Sequence, residues 1–325
     1  MEVLLIVTLL VISIILIVKG GDYFVDAASW IAEVSGIPKL IVGATIVSLA
    51  TTLPEMLVSV FAATEGKVDI SVGNAVGSVT ANIGLIMAIS IIFIPSVIKR
   101  KDYLMKFILM ILAAAIIVVC GFFGEVNIYL SIVLLAVFVV FIFENVRSAL
   151  KTKKEESATN AEEETKIKPT GKVIVTNIIK FVLGVAGIVG GAQLLVDNAS
   201  ALARLMHVSE RIIGITIVAV GTSLPELVTT VTAIVKKQSS LSVGNILGAN
   251  ILDLTLIMPL ASIISGKSLP ISSSSAMIDL PAALVVGLVA TIPTIITGKF
   301  KRWQGILLMV LYAIYLVLSC SGIFA

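Results

Sequence analysis

Long apolar stretches separated by short polar breaks run along nearly the whole chain. Stretches near 3–18, 40–64, 70–98, 103–123, 126–143, 173–196, 212–235, 241–265, 276–297 and 303–324 approach or exceed the roughly 20 residues a helix needs to cross a bilayer. The pattern predicts an all-α polytopic membrane protein of ten helices, five on either side of a polar segment at 147–172. That segment carries Lys151, Lys153, Lys154, Glu155, Glu156, Glu162, Glu163, Glu164, Lys166 and Lys168 with hardly an apolar residue. It is expected to stay flexible, as a solvated tether joining 1–146 to 173–325, with a regulatory role as the alternative.

Inside the apolar stretches, the polar and special residues repeat. Gly20 and Gly191, Asp26 and Asp197, Gly43 and Gly214, Thr45 and Thr216, Thr51 and Thr222, Pro54 and Pro225, and Glu55 and Glu226 all stand at one constant separation. The register continues without a gap through Gly73/Gly244, Asn74/Asn245, Gly77/Gly248, Leu85/Leu256 and Met87/Met258. Such a duplication is a recurrent property of membrane transporters. An odd number of helices per copy makes the second copy enter the membrane from the opposite side. The halves are therefore expected to be inverted repeats, with any site near the midplane where they meet.

Composition agrees with a membrane protein and adds an orientation. Hydrophobic residues make up 58% of the 325 and charged residues only 13%, against about 25% charged in soluble domains. Most of the 23 lysines and arginines fall on one side of the predicted topology, among them Lys99, Arg100, Lys101, Arg147, Lys236, Lys237, Lys299, Lys301 and Arg302, with Lys19 and Lys39 assigned to the same side. The positive-inside rule then puts both termini outside and the tether in the cytoplasm of a plasma or inner cell membrane. The net charge of +3 reads as this topology signal, and no nucleic-acid partner is implied. Val3–Val18 lacks the basic flank and small-residue cleavage site of a signal peptide and reads as a retained helix. Cys120 and Cys320 lie in apolar segments and read as small buried hydrophobes, and His207, the only histidine, falls on a polar connection.

The chemistry lies in two pairs of polar segments. Thr51-Thr52-Leu53-Pro54-Glu55 and Thr222-Ser223-Leu224-Pro225-Glu226 each place a hydroxyl one helical turn from a carboxylate, on the same face. Each proline withholds a donor from the preceding turn, leaving backbone oxygens that a cation can satisfy. A carboxylate at mid-membrane costs roughly 2.5–3.5 kcal/mol on insertion scales, so two in matching positions point to a shared function. The second pair, Gly73-Asn74-Ala75-Val76-Gly77-Ser78 leading to Asn82 and Gly244-Asn245-Ile246-Leu247-Gly248-Ala249 leading to Asp253, has glycines spaced for close helix approach. Together the segments offer carboxylates, an amide, hydroxyls and free carbonyls, without histidine or cysteine. An all-oxygen set suits hard cations such as Ca²⁺ rather than transition metals.

These four segments resemble the signature motifs of the Ca²⁺/cation antiporter superfamily, most closely its prokaryotic sodium/calcium exchangers. The resemblance extends to the five-plus-five layout. It implies that Glu55 and Glu226 are the central Ca²⁺ ligands, helped by Thr51, Thr222 and backbone carbonyls near Ser48, Val218 and Ala219. Thr52, Ser223, Ser78, Asn82 and Asp253 would complete neighbouring monovalent-ion sites. The implied mechanism slides the first helix of each half over a rigid site-bearing bundle, with Na⁺ and Ca²⁺ competing for overlapping oxygens. Three departures bear on the coupling ion: Ala249 stands where serine is common, Ala50 where glycine is common, and Asp253 is the acid found in potassium-dependent members.

The reading is a Na⁺/Ca²⁺ antiporter working by alternating access, acting as a monomer in the lipid bilayer, with no enzymatic activity and no cofactor beyond its transported ions. The alternatives are H⁺/Ca²⁺ or K⁺-dependent Na⁺/Ca²⁺ exchange on the same fold and, from another class, a cation channel. An intramembrane hydrolase lacks a nucleophile-base pair in this sequence.

Overall fold

A computed structural model describes residues 2–94, 100–159, 170–206 and 219–321. His207 and the 212–218 end of one predicted span lie outside these residues. Described in chain order, the elements are α1 (Glu2–Ser35), α2 (Lys39–Thr51), α3 (Leu53–Thr64), α4 (Val68–Phe93), α5 (Arg100–Phe123), β1 (Glu125–Val126), α6 (Ile128–Thr159) and α7 (Gly171–Leu205). The second half continues with α8 (Ala219–Thr222), α9 (Leu224–Val235), α10 (Ser239–Ser265), β2 (Leu269–Pro270), α11 (Ser275–Thr297) and α12 (Arg302–Ser321). Eight helices are long and apolar enough to span a membrane, and the bent pair α2–α3 supplies a ninth among the described residues. α8 and α9 are the described part of the remaining predicted span, the seventh in chain order.

Two boundaries differ from expectation. The first helix does not stop near residue 18 but runs 34 residues to Ser35, and its repeat counterpart α7 runs 35. At 1.5 Å per residue each is about 50 Å long, well beyond the ~30 Å hydrocarbon core. Lys19, assigned to a helix end, lies in the middle of α1. The break in hydropathy at Lys19-Gly20-Gly21-Asp22 is therefore not a break in the helix. The tether also departs from a wholly flexible segment, because α6 carries its first part as helix as far as Thr159. Lys151 and Glu155, one turn apart, belong to a run of strong helix formers that extends a helix already nucleated in the membrane.

Glycines decide which helices meet backbone to backbone. A Cβ built on Gly20 falls 2.7 Å from the Ile188 nitrogen, one on Gly184 2.6 Å from the Phe24 nitrogen, and one on Gly191 3.0 Å from the Ser13 carbonyl. α1 and α7 are thus interlocked along their length. Between the halves, Gly43 of α2 faces Gly244 of α10, each without room for a side chain, and a Cβ on Gly248 falls 2.6 Å from the Ala44 carbonyl. Of the repeat partners of this crossing, Gly73 and Gly77 lie on α4, while Gly214 lies outside the described residues.

Core side chains divide in the same way. A large cluster joins α4, α5, α10, α11 and α12 through residues such as Val76, Ile86, Met87, Phe107, Ile246, Leu254 and Leu308. A smaller one, with Phe24, Val25, Ala28, Val42, Val47 and Ile188, binds α1 and α7 to α2. Buried Lys106 of α5 pairs with Glu144 of α6 at 3.0 Å, and a two-residue antiparallel pairing of β1 with β2 ties the loops after α5 and α10.

The two ends of the repeat are not electrostatically equivalent. At the end of α9, Lys236 Nζ lies 2.8 Å from Asp26 Oδ1 and 3.2 Å from Asp22 Oδ1, clamping α1 to the site-bearing helices. The counterpart of Lys236 in the first repeat is Glu65, which pairs locally with Lys67 at 2.7 Å, a contact that lowers the Glu65 carboxyl below its usual range. Asp197, the counterpart of Asp26, instead lines an open cleft. Beside the clamp, Lys237 holds φ at 58°, where the first repeat has Gly66 at φ 77°. A side chain in the left-handed region costs about 1 kcal/mol relative to glycine. Lys237→Gly is therefore expected to raise the thermal unfolding midpoint by a few degrees; a lower midpoint would show that the lysine side chain contributes more than its backbone costs.

Candidate functional site

The chain breaks at Thr52, where the axes of α2 and α3 diverge by 47°. Pro54 and Pro225 occupy the first turns of α3 and α9, where a missing N–H leaves no intrahelical bond unmade. The new helices restart with Met56 N donating to Thr52 O and Leu227 N to Ser223 O, both at 3.0 Å. Glu55 and Glu226 therefore sit in the first turn of a helix, facing its positive end. Asn82 and Asp253 hold a second equivalent position. Each is the first residue of a π-helical turn, in α4 and α10 respectively. A π turn adds a residue to the helical circuit, redirects the side chain and weakens the local backbone ladder, and such turns cluster at functional sites.

All three carboxylates are deeply buried: Glu55, Glu226 and Asp253 are each 1% exposed. They lie close enough to repel one another, Glu55 against both Glu226 and Asp253. Thr52 Oγ1 donates to Glu226 Oε1 at 3.1 Å, a bond between the repeats. Thr51 Oγ1 lies 3.3 Å from both the Ser48 carbonyl and Asn245 Oδ1. Both Glu55 carboxylate oxygens, Glu226 Oε2, both Asp253 oxygens, Asn82 Oδ1, Ser78 Oγ and Ser223 Oγ are buried without a hydrogen-bond partner in the protein. Buried acceptors in such number, clustered on three acids, require positive charge to offset their desolvation. No three acidic, His or Cys side chains among the described residues converge on one metal position. A bound cation would thus combine carboxylates with hydroxyl, amide and carbonyl oxygens, as hard cations do.

The remaining candidates fall as follows. Thr222 lines a cleft of about 540 Å³ bounded by Pro54, Pro225 and Gly221 on one wall and by Gln193, Asp197 and Arg204 of α7 on the other. The cleft thus borders both proline turns. Ser48 is buried, and its carbonyl already accepts the Thr52 N–H at 2.9 Å. Ala219 opens α8, and Val218 lies outside the described residues. Ala249 is buried on α10 and offers no side-chain oxygen beside Asp253. Two residues not singled out as site residues from sequence, Asn74 and Asn245, reach the site as well. Asn74 Nδ2 donates to the Glu55 carbonyl at 3.1 Å and to Ser59 Oγ at 2.9 Å, fixing α3 against α4. Their repetition as a Gly-Asn pair was the available signal, masked by the packing role of the neighbouring glycine.

The sequence matches the sodium/calcium exchanger protein family over residues 5–146 and 176–321, nearly the whole of both halves. The chain belongs to this family. The exchanger is similar to a solved structure of the sodium-calcium exchanger NCX_Mj, with a TM-score of 0.79 and 30% identity over 96% of the exchanger and 98% of that chain. Sodium/calcium exchanger MaX1 of Methanosarcina acetivorans is 30% identical over 345 residues, 95% of the exchanger and 97% of the relative. Sodium/potassium/calcium exchanger 1 of Gallus gallus is 30% identical over 148 residues, 44% of the exchanger and 22% of the relative. The exchanger is accordingly a multi-pass membrane antiporter built from two repeats.

Proposed function

We propose that the protein exchanges Na⁺ for Ca²⁺ across a cell membrane by alternating access. The observation that carries this reading is the cluster of unpartnered carboxylate oxygens on Glu55, Glu226 and Asp253, contributed by both repeats, beside a cleft lined by Pro54, Thr222 and Pro225. Glu55 and Glu226 serve as central Ca²⁺ ligands with Thr51, Thr222 and the carbonyls of Ser48, Val218 and Ala219. Thr52, Ser223, Ser78, Asn82 and Asp253 hold the monovalent ions. Because the same carboxylates serve both cations, occupancy by one ion expels the other.

The linker faces the cytoplasm and both termini face outside, so the cleft beside Asp197 opens outward and the Lys236 clamp closes the cytoplasmic side. Interlocking of α1 with α7 supports their movement as one unit across the site. The chain works as a monomer, since each protomer contains both halves of the site. Asp253, with both oxygens unpartnered, favours a second reading in which K⁺ joins the cycle.

The test is ⁴⁵Ca²⁺ uptake into proteoliposomes under imposed Na⁺, K⁺ and H⁺ gradients. An outward Na⁺ gradient is expected to drive uptake, and uptake should vanish when Na⁺ is absent from both sides. Ca²⁺ flux that persists without a counter-ion would make the protein a channel. A strict requirement for K⁺ together with Na⁺ would select the potassium-dependent cycle.

A further inference from the structure

We infer that Asn245 is a positioning residue for ion binding: its side-chain oxygen receives the Thr51 hydroxyl hydrogen, so that the hydroxyl's lone pairs face the cation. This deepens the proposed Na⁺/Ca²⁺ site and rests on it. Asn245 stands on α10, in the second repeat, and is fully buried. Its Oδ1 lies 3.3 Å from Thr51 Oγ1 on α2, in the first repeat.

A hydroxyl has one hydrogen and two lone pairs, and it ligates a cation only if the hydrogen points elsewhere. Thr51 has few places to put that hydrogen. Its hydroxyl lies 3.3 Å from both the Ser48 carbonyl and Asn245 Oδ1, and its neighbour Thr52 bonds the Glu226 carboxylate. The Ser48 carbonyl already accepts the Thr52 N–H, and a cation on Glu226 both consumes that carboxylate and repels the hydrogen. Asn245 Oδ1 is the side-chain acceptor left to it that is not a carboxylate.

The comparison with Asn74 sharpens the assignment. In the first repeat the asparagine spends its amide N–H groups on the Glu55 carbonyl and Ser59 Oγ, within its own half. Asn245 shows no such bond: its Nδ2 and the hydroxyl of Thr230, the counterpart of Ser59, are both buried without partners. Its side-chain hydrogen bond is the cross-repeat one from a site hydroxyl. The same residue type thus braces a helix in one half and orients a ligand in the other. Removing an orienting partner of a metal ligand commonly weakens affinity by about ten- to a hundredfold.

A double-mutant cycle tests this. Ca²⁺ affinity is measured from the Ca²⁺-dependent rise in unfolding temperature of purified protein and from half-saturation of Na⁺-driven ⁴⁵Ca²⁺ uptake. Asn245→Ala and Thr51→Val are each expected to weaken Ca²⁺ binding roughly tenfold or more. Because Asn245 acts through the Thr51 hydroxyl, the double variant should be no weaker than the weaker single. Asn245→Asp, which keeps an acceptor in place, should retain wild-type affinity or exceed it, and it covers the case in which the alanine variant does not fold. Additive losses in the double variant, unchanged affinity in Asn245→Ala, or an aspartate variant as weak as the alanine one would each overturn the inference. Wild-type protein that neither binds nor carries Ca²⁺ would overturn the exchange reading itself.

Discussion

Glu55→Gln and Glu226→Gln are each expected to abolish Ca²⁺ transport while leaving the protein folded. Glutamine keeps the length and shape of the side chain and removes one negative charge from a site where both acids are 1% exposed. Taking one partner from a buried ionic contact costs about 3–5 kcal/mol, which corresponds to roughly a hundred- to several thousand-fold in affinity. The sign for the ion-free protein is the reverse. Without a cation, a carboxylate buried there has no positive charge to offset its desolvation, so replacing it with a neutral amide removes that cost. Unfolding without Ca²⁺ should therefore occur at the same temperature as in the wild type or higher, while the stabilisation by added Ca²⁺ disappears. Near-normal flux in either variant, or a collapse of ion-free stability, would remove these acids from the centre of the site.

The second large effect is structural and lies at the crossing of α2 with α10. Gly43→Ala and Gly244→Ala each place a methyl group against the partner's backbone: 3.0 Å from the Asn245 nitrogen in the first case, 3.1 Å from the Ala44 nitrogen in the second. Neither obstacle is a flexible side-chain end, so the helices must separate. Overpacking of this kind costs about 1–3 kcal/mol. The separation also displaces Asn245 and Ser48, so exchange should fall by more than the loss of folded protein explains. The two variants share one contact and should not add when combined. Gly190→Ala serves as the control, because no described atom lies within 4 Å of the added carbon. An unfolding midpoint in Gly244→Ala equal to that of Gly190→Ala would show that the crossing is looser than its geometry.

Much of this site was legible before any coordinates, and the reason is energetic. Acids in apolar stretches are costly enough that Glu55 and Glu226 stand out, and the constant separation between repeats singles out their companions. Other features left no such trace. The length of α1 is hidden because Asp22 and Asp26 look like a helix end until Lys236, far away in sequence, neutralises them. The π turns at Asn82 and Asp253 need no particular composition, only a register shift that neighbouring helices hold in place. Contacts such as Thr52 with Glu226 and Thr51 with Asn245 join opposite repeats, so neither half carries enough information to predict them.

The interlocked pair α1 and α7 differs from the central helices in what surrounds it. Of the most apolar stretches, 72% of α4 and 83% of α10 are buried in protein, against 22% of α1 and 11% of α7. Shifting α4 or α10 would open voids in packed protein, at about 24 cal/mol per Å³ of empty space. Shifting α1 and α7 together trades one patch of lipid for another, and lipid tails are as apolar as the leucines they touch. The bilayer then acts as the bearing surface of the machine. In the proposed cycle its fluidity sets the friction of the stroke, while the ion preference stays with the buried core.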